Sequence, residues 1–600
     1  MTMDAEQLLE RRQRPHVMGR NGALVADHYL AAAAGYRMAL DGGNAVDIAA
    51  TISFCQNVLE PHQCGIGGEV PILVYVAAER RVFSISGVGW SPAAFTIEWC
   101  RDHGIGLIPG DGFLPAIVPG AVGAWCVALE RFGTKSLSEV IRPALGLARD
   151  GFPMYPGLRD AIVRHEARLR TWPASRALYL PGDSAPAVGE LFRSPGLAWT
   201  MEQLVAAERR ASVSGRPAGL DAARREFYEG RIARRILDYI GDAQVSDASG
   251  SRHGCLLDAE DLAEWRAEVE APVSLRYRGL RVHKCSAWSQ GAVFLQQLAI
   301  LAGFDLPAMG LRSSEYIHTR LEAAQLAFAD REAYYGDPRF DQVPFDTLLS
   351  DEYAAERRRL VGPEACGDLR PGAVPGHDPI AVHNVEAGNR EAMGLPPFGT
   401  GAGGGWIGDT THLDVVDSEG NMVAATPSGG WFPTSPTIPG LGFSLSTRGQ
   451  MFVLDERRAN ALAGRKRPRV TLTPGLATRN GAPELAFGMR GGDLQDQLTL
   501  GFFVAHHTFG LSLQDALDEP VFWSEGFPSS FHPRPSHPRL ARIDERFGED
   551  IADRLRLKGH EVHGLNGLRA NHMAVRRDPA TGVLSAGVAS TGDTSYPLAW

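Results

Sequence analysis

The chain has 600 residues, 44% of them hydrophobic and 22% charged, and a formal net charge of -10. That length permits a large buried core and several domains, and the composition is that of an ordinary globular protein. The acidic balance, with no dense Lys/Arg stripe, argues against a nucleic-acid partner; the nearest approach, Gly464-Arg-Lys-Arg-Pro-Arg469, reads as a short solvated charge run.

Seven scattered cysteines without a CxxC pair point to reduced thiols rather than a disulfide frame or zinc ribbon. The N-terminal stretch is charged throughout and lacks an apolar signal core, and no apolar run reaches the roughly 18 residues of a membrane span. The expectation is a cytoplasmic protein without membrane association.

In chain order, residues 27–41 read as an Ala-rich helix ended by Gly42-Gly43. Asn44 then N-caps a second helix, apolar nearly all round, that runs to Glu60 and stops at Pro61. Gly65-Ile-Gly-Gly68 follows a helix and precedes a strand, the reverse of a dinucleotide fingerprint, so it reads as a tight turn or close backbone packing. Strands are expected at 71–76 and 82–86, helices at 121–132 and 137–149, and a largely helical stretch over 160–345, interrupted by a strand-like segment at 273–285. Residues 322–335 read as an amphipathic helix. Residues 364–408, rich in Gly and Pro, form a linker or loop.

Beyond residue 410 the pattern changes to short strands. His412–Asp417 alternates like a half-buried strand, and Asp417-Ser-Glu-Gly-Asn421 turns it into a second run, 422–426. Further strands are expected at 442–445, 451–454, 472–478 and 484–488, with a hairpin at 572–588. Helices are expected at 493–507 and 543–558.

The stretch from Gly399 to Trp431 carries the chemistry. A Gly-rich tether ends at Asp409 and a hydroxyl residue, Thr410, opens the hairpin. Cleavage before Thr410 creates an N-terminal threonine whose α-amine, titrating near ~7.7–8.0, serves as base for its own hydroxyl. The plainer reading is a surface loop leading into a hairpin, and this stretch alone leaves both open.

The ordered landmarks resemble the γ-glutamyltransferase family of N-terminal-nucleophile hydrolases. They are Gly43-Asn-Ala-Val-Asp47, Glu60-Pro-His62 with Gly65-Ile-Gly-Gly68, Val118-Pro-Gly-Ala-Val122, Leu147-Ala-Arg-Asp-Gly-Phe152, Ala327-Phe-Ala-Asp-Arg331 with Gly336-Asp-Pro338, Thr410-Thr-His412 with Val415-Val-Asp417, Lys466-Arg-Pro468, Thr473-Pro474 and Gly491-Gly492. The resemblance implies an α+β fold, a four-layer αββα sandwich, made as one precursor. It implies cleavage at Asp409–Thr410 into a large segment, 1–409, and a small one, 410–600, which stay associated, with pairing of two cleaved protomers as a family habit. Thr410 is implied as nucleophile, Ser428 as the hydroxyl bonded to it, and Gly491 and Gly492 as the oxyanion hole. No metal or other cofactor is implied.

The recognition residues differ from those of true γ-glutamyl enzymes. The early stretch Gly87-Val-Gly-Trp-Ser-Pro92 lacks the arginine that holds the glutamate α-carboxylate, and Arg448-Gly-Gln-Met-Phe452 lacks the acid that holds its α-amine. Gly430 stands for an asparagine, and Val470 and Thr471 for two serines. Leaving either substrate charge buried and unpaired costs on the order of 3–5 kcal/mol. The expected substrate is therefore a small amide whose acyl part carries a carboxylate, as in the side branch resembling cephalosporin acylases and oxamate amidohydrolases. Arg448 and Arg490 are candidate carboxylate holders, Trp431 and Phe432 candidate pocket walls, and Thr471 a further substrate contact. The bland alternatives are a turn arginine at 448, an Arg490–Asp493 ion pair and a core Trp431. A genuine γ-glutamyltransferase and an uncleaved binding protein are the rival functions. A metal site is set aside because His560 and His563 lack the i,i+4 helical spacing of a zinc pair, and no Gly-x-Ser-x-Gly elbow stands out.

Overall fold

A computed structural model describes residues 14, 16–380, 410–565, 570–590 and 594–600. The expected cleavage residue Asp409 and most of the 364–408 linker lie outside the described residues.

Two seven-stranded sheets, antiparallel throughout, form the frame. The first runs, edge to edge, through strands Tyr596–Ala599, Gly22–Ala26, Leu413–Asp417, Met422–Ala425, Ile72–Val76, Arg81–Ile85 and Val269–Glu270. The second runs through Val17–Gly19, Leu584–Val588, Met573–Arg577, Ala482–Gly488, Gly475–Arg479, Leu280–Lys284 and Val273–Tyr277.

Strand alternation divides the side chains between two destinations. Val25, Leu73, Val416, Met422 and Ala424 from the first sheet meet Leu476, Ala486, Met573, Val575 and Ala586 from the second in one buried cluster. Leu413, Val415, Val423 and Ala425 face the other way, against helices Ala45–Leu59 and Ala121–Phe132. Val282, Leu485 and Phe487 of the second sheet pack on helices Ala292–Leu301, Ser314–Tyr334 and Gln495–His507. Strand Leu413–Asp417 is consequently buried along its whole length rather than half-buried.

Several local expectations hold. Asn44 caps helix Ala45–Leu59 in a reciprocal capping box with Asp47, and every residue of that helix is buried. The 572–588 hairpin forms as strands Met573–Arg577 and Leu584–Val588.

Other expectations are corrected. The 322–335 helix extends over Ser314–Tyr334 and is buried all round, because its charges are partnered inside the protein: Asp330 by Arg357, and Arg331 by Glu332 and Asp493. The basic run at 464–469 is no solvated face. Lys466, Arg467 and Arg469 are buried, and they pair with Asp341, Asp337 and Glu332. Residues 448–451 form a 3-10 turn where a strand was expected from Met451. Strand Leu540–Asp544 replaces the start of the expected 543–558 helix, which is confined to Glu549–Leu557, and that helix carries a parallel crossover to Glu561–Leu565. No helix of the described residues is long and apolar enough to cross a membrane.

Candidate active site

The site is built on the head of a central strand. Leu413–Asp417 is hydrogen-bonded on both sides, to Gly22–Ala26 and to Met422–Ala425. The Asp417 carboxylate fixes its far end: it accepts from the backbone N–H groups of Glu419 and Asn421 and, across the molecule, from that of Ala45 at 2.9 Å. One hairpin turn is thereby tied to the start of the buried helix beneath it.

The three residues before the strand are equally constrained. His412 holds Thr426 Oγ1 at 3.0 Å through Nδ1 and Asp414 Oδ1 at 3.0 Å through Nε2. Its backbone N–H donates to Asp27, whose carboxylate also accepts from Asn571 and Ser595. The Thr411 hydroxyl accepts from Gln56 Nε2 at 2.6 Å and donates to Glu60 at 3.2 Å. Thr410 is buried, bridges Ser428 in antiparallel fashion, and places its Oγ1 3.2 Å from Ser428 Oγ. The expected nucleophile and its expected hydroxyl partner are therefore in hydrogen-bond contact.

Ser428 belongs to a second buried set. Its backbone exchanges both hydrogen bonds with Glu69, at 2.8 and 2.9 Å. Arg448, fully buried, donates from Nη2 to Ser428 Oγ at 2.6 Å and from Nε to Glu69 Oε1 at 2.5 Å. Its guanidinium carbon lies 4.6 Å from the centre of the Trp431 ring and 5.5 Å from that of Phe531. Burial pushes the Glu69 carboxyl up, and Arg448 opposes that shift.

The Gly65-Ile-Gly-Gly68 segment is the close backbone packing that the sequence indicates. A side chain on Gly68 would come within 2.1 Å of the Ser428 carbonyl oxygen, and one on Gly67 within 2.2 Å of that of Ser444. Only glycine lets this segment lie against Ser428, the hydrogen-bond partner of Thr410.

Gly491 and Gly492, at φ +127° and +56°, form the turn between strand Ala482–Gly488 and helix Gln495–His507. They stand ahead of a thirteen-residue helix, whose N-terminus favours negative charge. The strand that leads into the turn ends against His412, two residues past Thr410: a side chain on Gly488 would strike the His412 ring at 2.2 Å. Asp493 anchors the turn. It is an ion-pair partner of Arg331, and it accepts from the Ser530 N–H at 2.8 Å and its hydroxyl at 2.7 Å.

The expected substrate contacts separate into different surroundings. Arg490 is half-buried, and its charge, after burial itself, is the leading influence holding His62 down to about 3. Arg448, expected as a carboxylate holder, is instead committed to Glu69 and Ser428. Trp431 forms part of the box around that guanidinium, with its Nε1 donating to the Gln63 carbonyl at 2.6 Å. Phe432 faces Tyr179 at 4.4 Å and His62 at 6.4 Å. Thr471 is fully buried with a hydroxyl that finds no partner among the described residues, and its neighbour Thr473 is held by Gln495 just past the Gly-Gly turn.

Sequence reasoning missed Glu69, Gln56, Asp27 and Arg331 as builders of this site. Glu69 had a signal, an acid directly after a glycine cluster. The partners of Gln56 and Asp27 lie more than 350 residues away, so no local pattern revealed them.

Comparison with known proteins places the geometry in context. Acylase ACY 1 proenzyme of Pseudomonas sp. (strain SE83) is 30% identical over 555 residues, covering 91% of this chain and 88% of that protein. The solved structure of LmbA2991HD superposes with a TM-score of 0.90 at 41% identity, covering 98% of this chain and all of that one. Cephalosporin acylase from Bacillus halodurans gives a TM-score of 0.82 at 28% identity, over 100% and 99% of the two chains. The family model for gamma-glutamyltranspeptidase matches residues 31–596, and the chain belongs to that family of hydrolases.

Proposed function

We propose that this enzyme is a self-processing amidohydrolase built as a four-layer αββα sandwich, with Thr410 as its nucleophile. The observation that carries this reading is the buried 3.2 Å contact of Thr410 with Ser428 at the head of a central strand. In the precursor, the Thr410 hydroxyl attacks the carbonyl carbon of residue 409. The acyl group passes from nitrogen to oxygen, and water hydrolyses the ester to free the Thr410 amine. In the mature enzyme that amine takes the hydroxyl proton while Oγ1 bonds to the substrate carbonyl. The oxyanion is received by the N–H groups of the Gly491-Gly492 turn, aided by the helix that follows. The amine leaves with a proton, and water releases the acid.

The substrate is a small amide whose acyl part ends in a carboxylate, and Arg490 is its holder. Arg448 is released from that role because its charge is already answered by Glu69. Thr471, whose buried hydroxyl has no partner among the described residues, is a further contact for the acyl group. Seven unpaired cysteines support a reducing, cytoplasmic setting.

A denaturing gel of the purified protein is expected to show two fragments, 1–409 and 410–600. In a comparison of γ-glutamyl-p-nitroanilide with oxamate and glutaryl amides, the carboxylate-bearing amides are expected to turn over and the glutamyl compound to lag. Efficient glutamyl turnover overturns the substrate assignment. Replacing Arg490 by glutamine should raise KM for the preferred carboxylate amide by about 10- to 100-fold, the scale of one or two charge-assisted hydrogen bonds. A neutral amide of the same length should be unaffected, and an equal loss on both sinks the role given to Arg490.

A further inference from the structure

We propose that Arg320 and Tyr316 hold one small monovalent anion, of halide size, in a cavity among the helices that cover the second sheet. The cavity lies between helix Ser314–Tyr334, helix Gln495–His507 and strand Phe522–Ser524, and none of the residues assigned to catalysis lines it. Leu498, Phe502, Val521 and Phe547 give it apolar walls, and there is room inside for about one water-sized guest. The two donors sit four residues apart on one helix, which brings both to the same wall. Arg320 is 6% exposed, yet no carboxylate among the described residues forms an ion pair with it. Its Nη2 donates to the Gln497 carbonyl at 2.6 Å, while Nε, sealed from solvent, meets no acceptor among the described residues. Tyr316, 1% exposed, sets its hydroxyl beside that guanidinium, where its proton has no acceptor among the described residues.

A buried cation without a partner is costly, and the rest of the lining does not neutralise this one. Glu519, the acid in the wall, is taken by the fork of Arg312, with Nε at 3.1 Å and Nη2 at 2.9 Å. That pair is neutral as a unit, and burial keeps His572 neutral as well, its pKa pushed down to about 4. The rings of Phe522 and Tyr316, 4.3 and 5.5 Å from the guanidinium carbon, soften the charge without cancelling it. One positive charge is left over, beside N–H and O–H groups with nothing to donate to. A monovalent anion answers both needs. A dianion overshoots the charge, and a water accepts the protons but leaves the charge in place. The apolar walls favour an anion that sheds its hydration readily, chloride or bromide over fluoride. Gly501 keeps the space open: a side chain there would lie 2.9 Å from Arg320 Nη1.

The test reads halide binding to the purified full-length protein in two ways. Crystals soaked in sodium bromide should show an anomalous bromide peak within hydrogen-bonding reach of Arg320 and the Tyr316 hydroxyl. In solution, the thermal unfolding midpoint should rise with sodium chloride, relative to sodium gluconate at the same ionic strength, and level off as the site fills. Arg320→Met should abolish the bromide peak and the chloride-specific rise. Tyr316→Phe keeps the cation and the apolar wall, and should raise the chloride concentration needed for half the rise about 10-fold, the scale of one hydrogen bond to a charged group. Should Arg320→Met fail to fold, Tyr316→Phe and the wild-type bromide map decide the matter. An equal midpoint in chloride and gluconate, a chloride effect of full size in Arg320→Met, or bromide found only outside the cavity overturns the proposal. So does a bromide peak in the cavity with no chloride dependence in solution, which is binding at crystal concentration only.

Discussion

Thr410→Ala is expected to leave a single band at the full 64.8 kDa, where the wild-type protein is expected to separate into two fragments. Hydrolysis of every amide in the panel should fall by on the order of 10⁶-fold, the scale seen when a hydrolase loses its nucleophile. The substitution removes one hydroxyl and one methyl from a residue 2% exposed. The strand behind it remains paired on both sides, and Arg448 still satisfies Ser428. Thermal unfolding should therefore change little, which separates loss of chemistry from loss of fold. Thr410→Ser keeps the hydroxyl but not the methyl that limits rotation about χ1; it should cleave more slowly and retain activity. Cleavage of the alanine variant at the same bond would remove Thr410 from the mechanism altogether.

The parts legible in the sequence were those with local chemistry. Asn44 and Asp47 announce a capped helix, Asp417 through Asn421 a turn, and Gly65 through Gly68 a close approach, and each is found in that form. Thr410 and Ser428 were paired by their place in an ordered set of motifs. What escaped was where charges go. Arg448, Arg467 and Arg469 look like surface residues in a linear string, because a string shows nothing about an acid 130 or more residues away. Arg448 meets Glu69, Arg467 meets Asp337 and Arg469 meets Glu332 only once the chain is folded. The same limit explains strand Leu413–Asp417. Its alternation was read correctly, but a second sheet covers the face assigned to solvent, so Asp414 is buried against His412.

Arg331 carries the second large expected effect. It donates to Asp493, to Gln290 Oε1 at 2.7 Å and to the Pro528 carbonyl at 2.9 Å, and it pairs with Glu332. Arg331→Met strands the Asp493 charge in a buried site and should cost about 3–5 kcal/mol in urea unfolding. The cost has a pH signature. Burial alone would raise the Glu332 carboxyl, but Arg469, Arg331 and Arg458 outweigh it and hold the group well below its ordinary 4.5. A carboxyl depressed in the folded state stabilises above its unfolded pKa and loses that stabilisation as pH falls. Both proteins should therefore lose stability below about pH 4.5, and the part of the gap between them that runs through Glu332 should narrow only at the still lower pH at which the folded carboxyl takes up its proton, sooner in Arg331→Met than in wild type. Activity should also fall, by about 10²–10³ in kcat, because Asp493 anchors the Gly491-Gly492 turn proposed as the oxyanion hole and that is the cost of a misplaced oxyanion donor. Asp493→Asn separates the two contributions: it removes the charge while preserving a carbonyl able to accept from Ser530. A variant that keeps most of the wild-type kcat at reduced stability identifies the ion pair as structural and the Ser530 contacts as the anchor of the turn. Loss of kcat equal to that of Arg331→Met places the Arg331 ion pair itself in control of the oxyanion geometry.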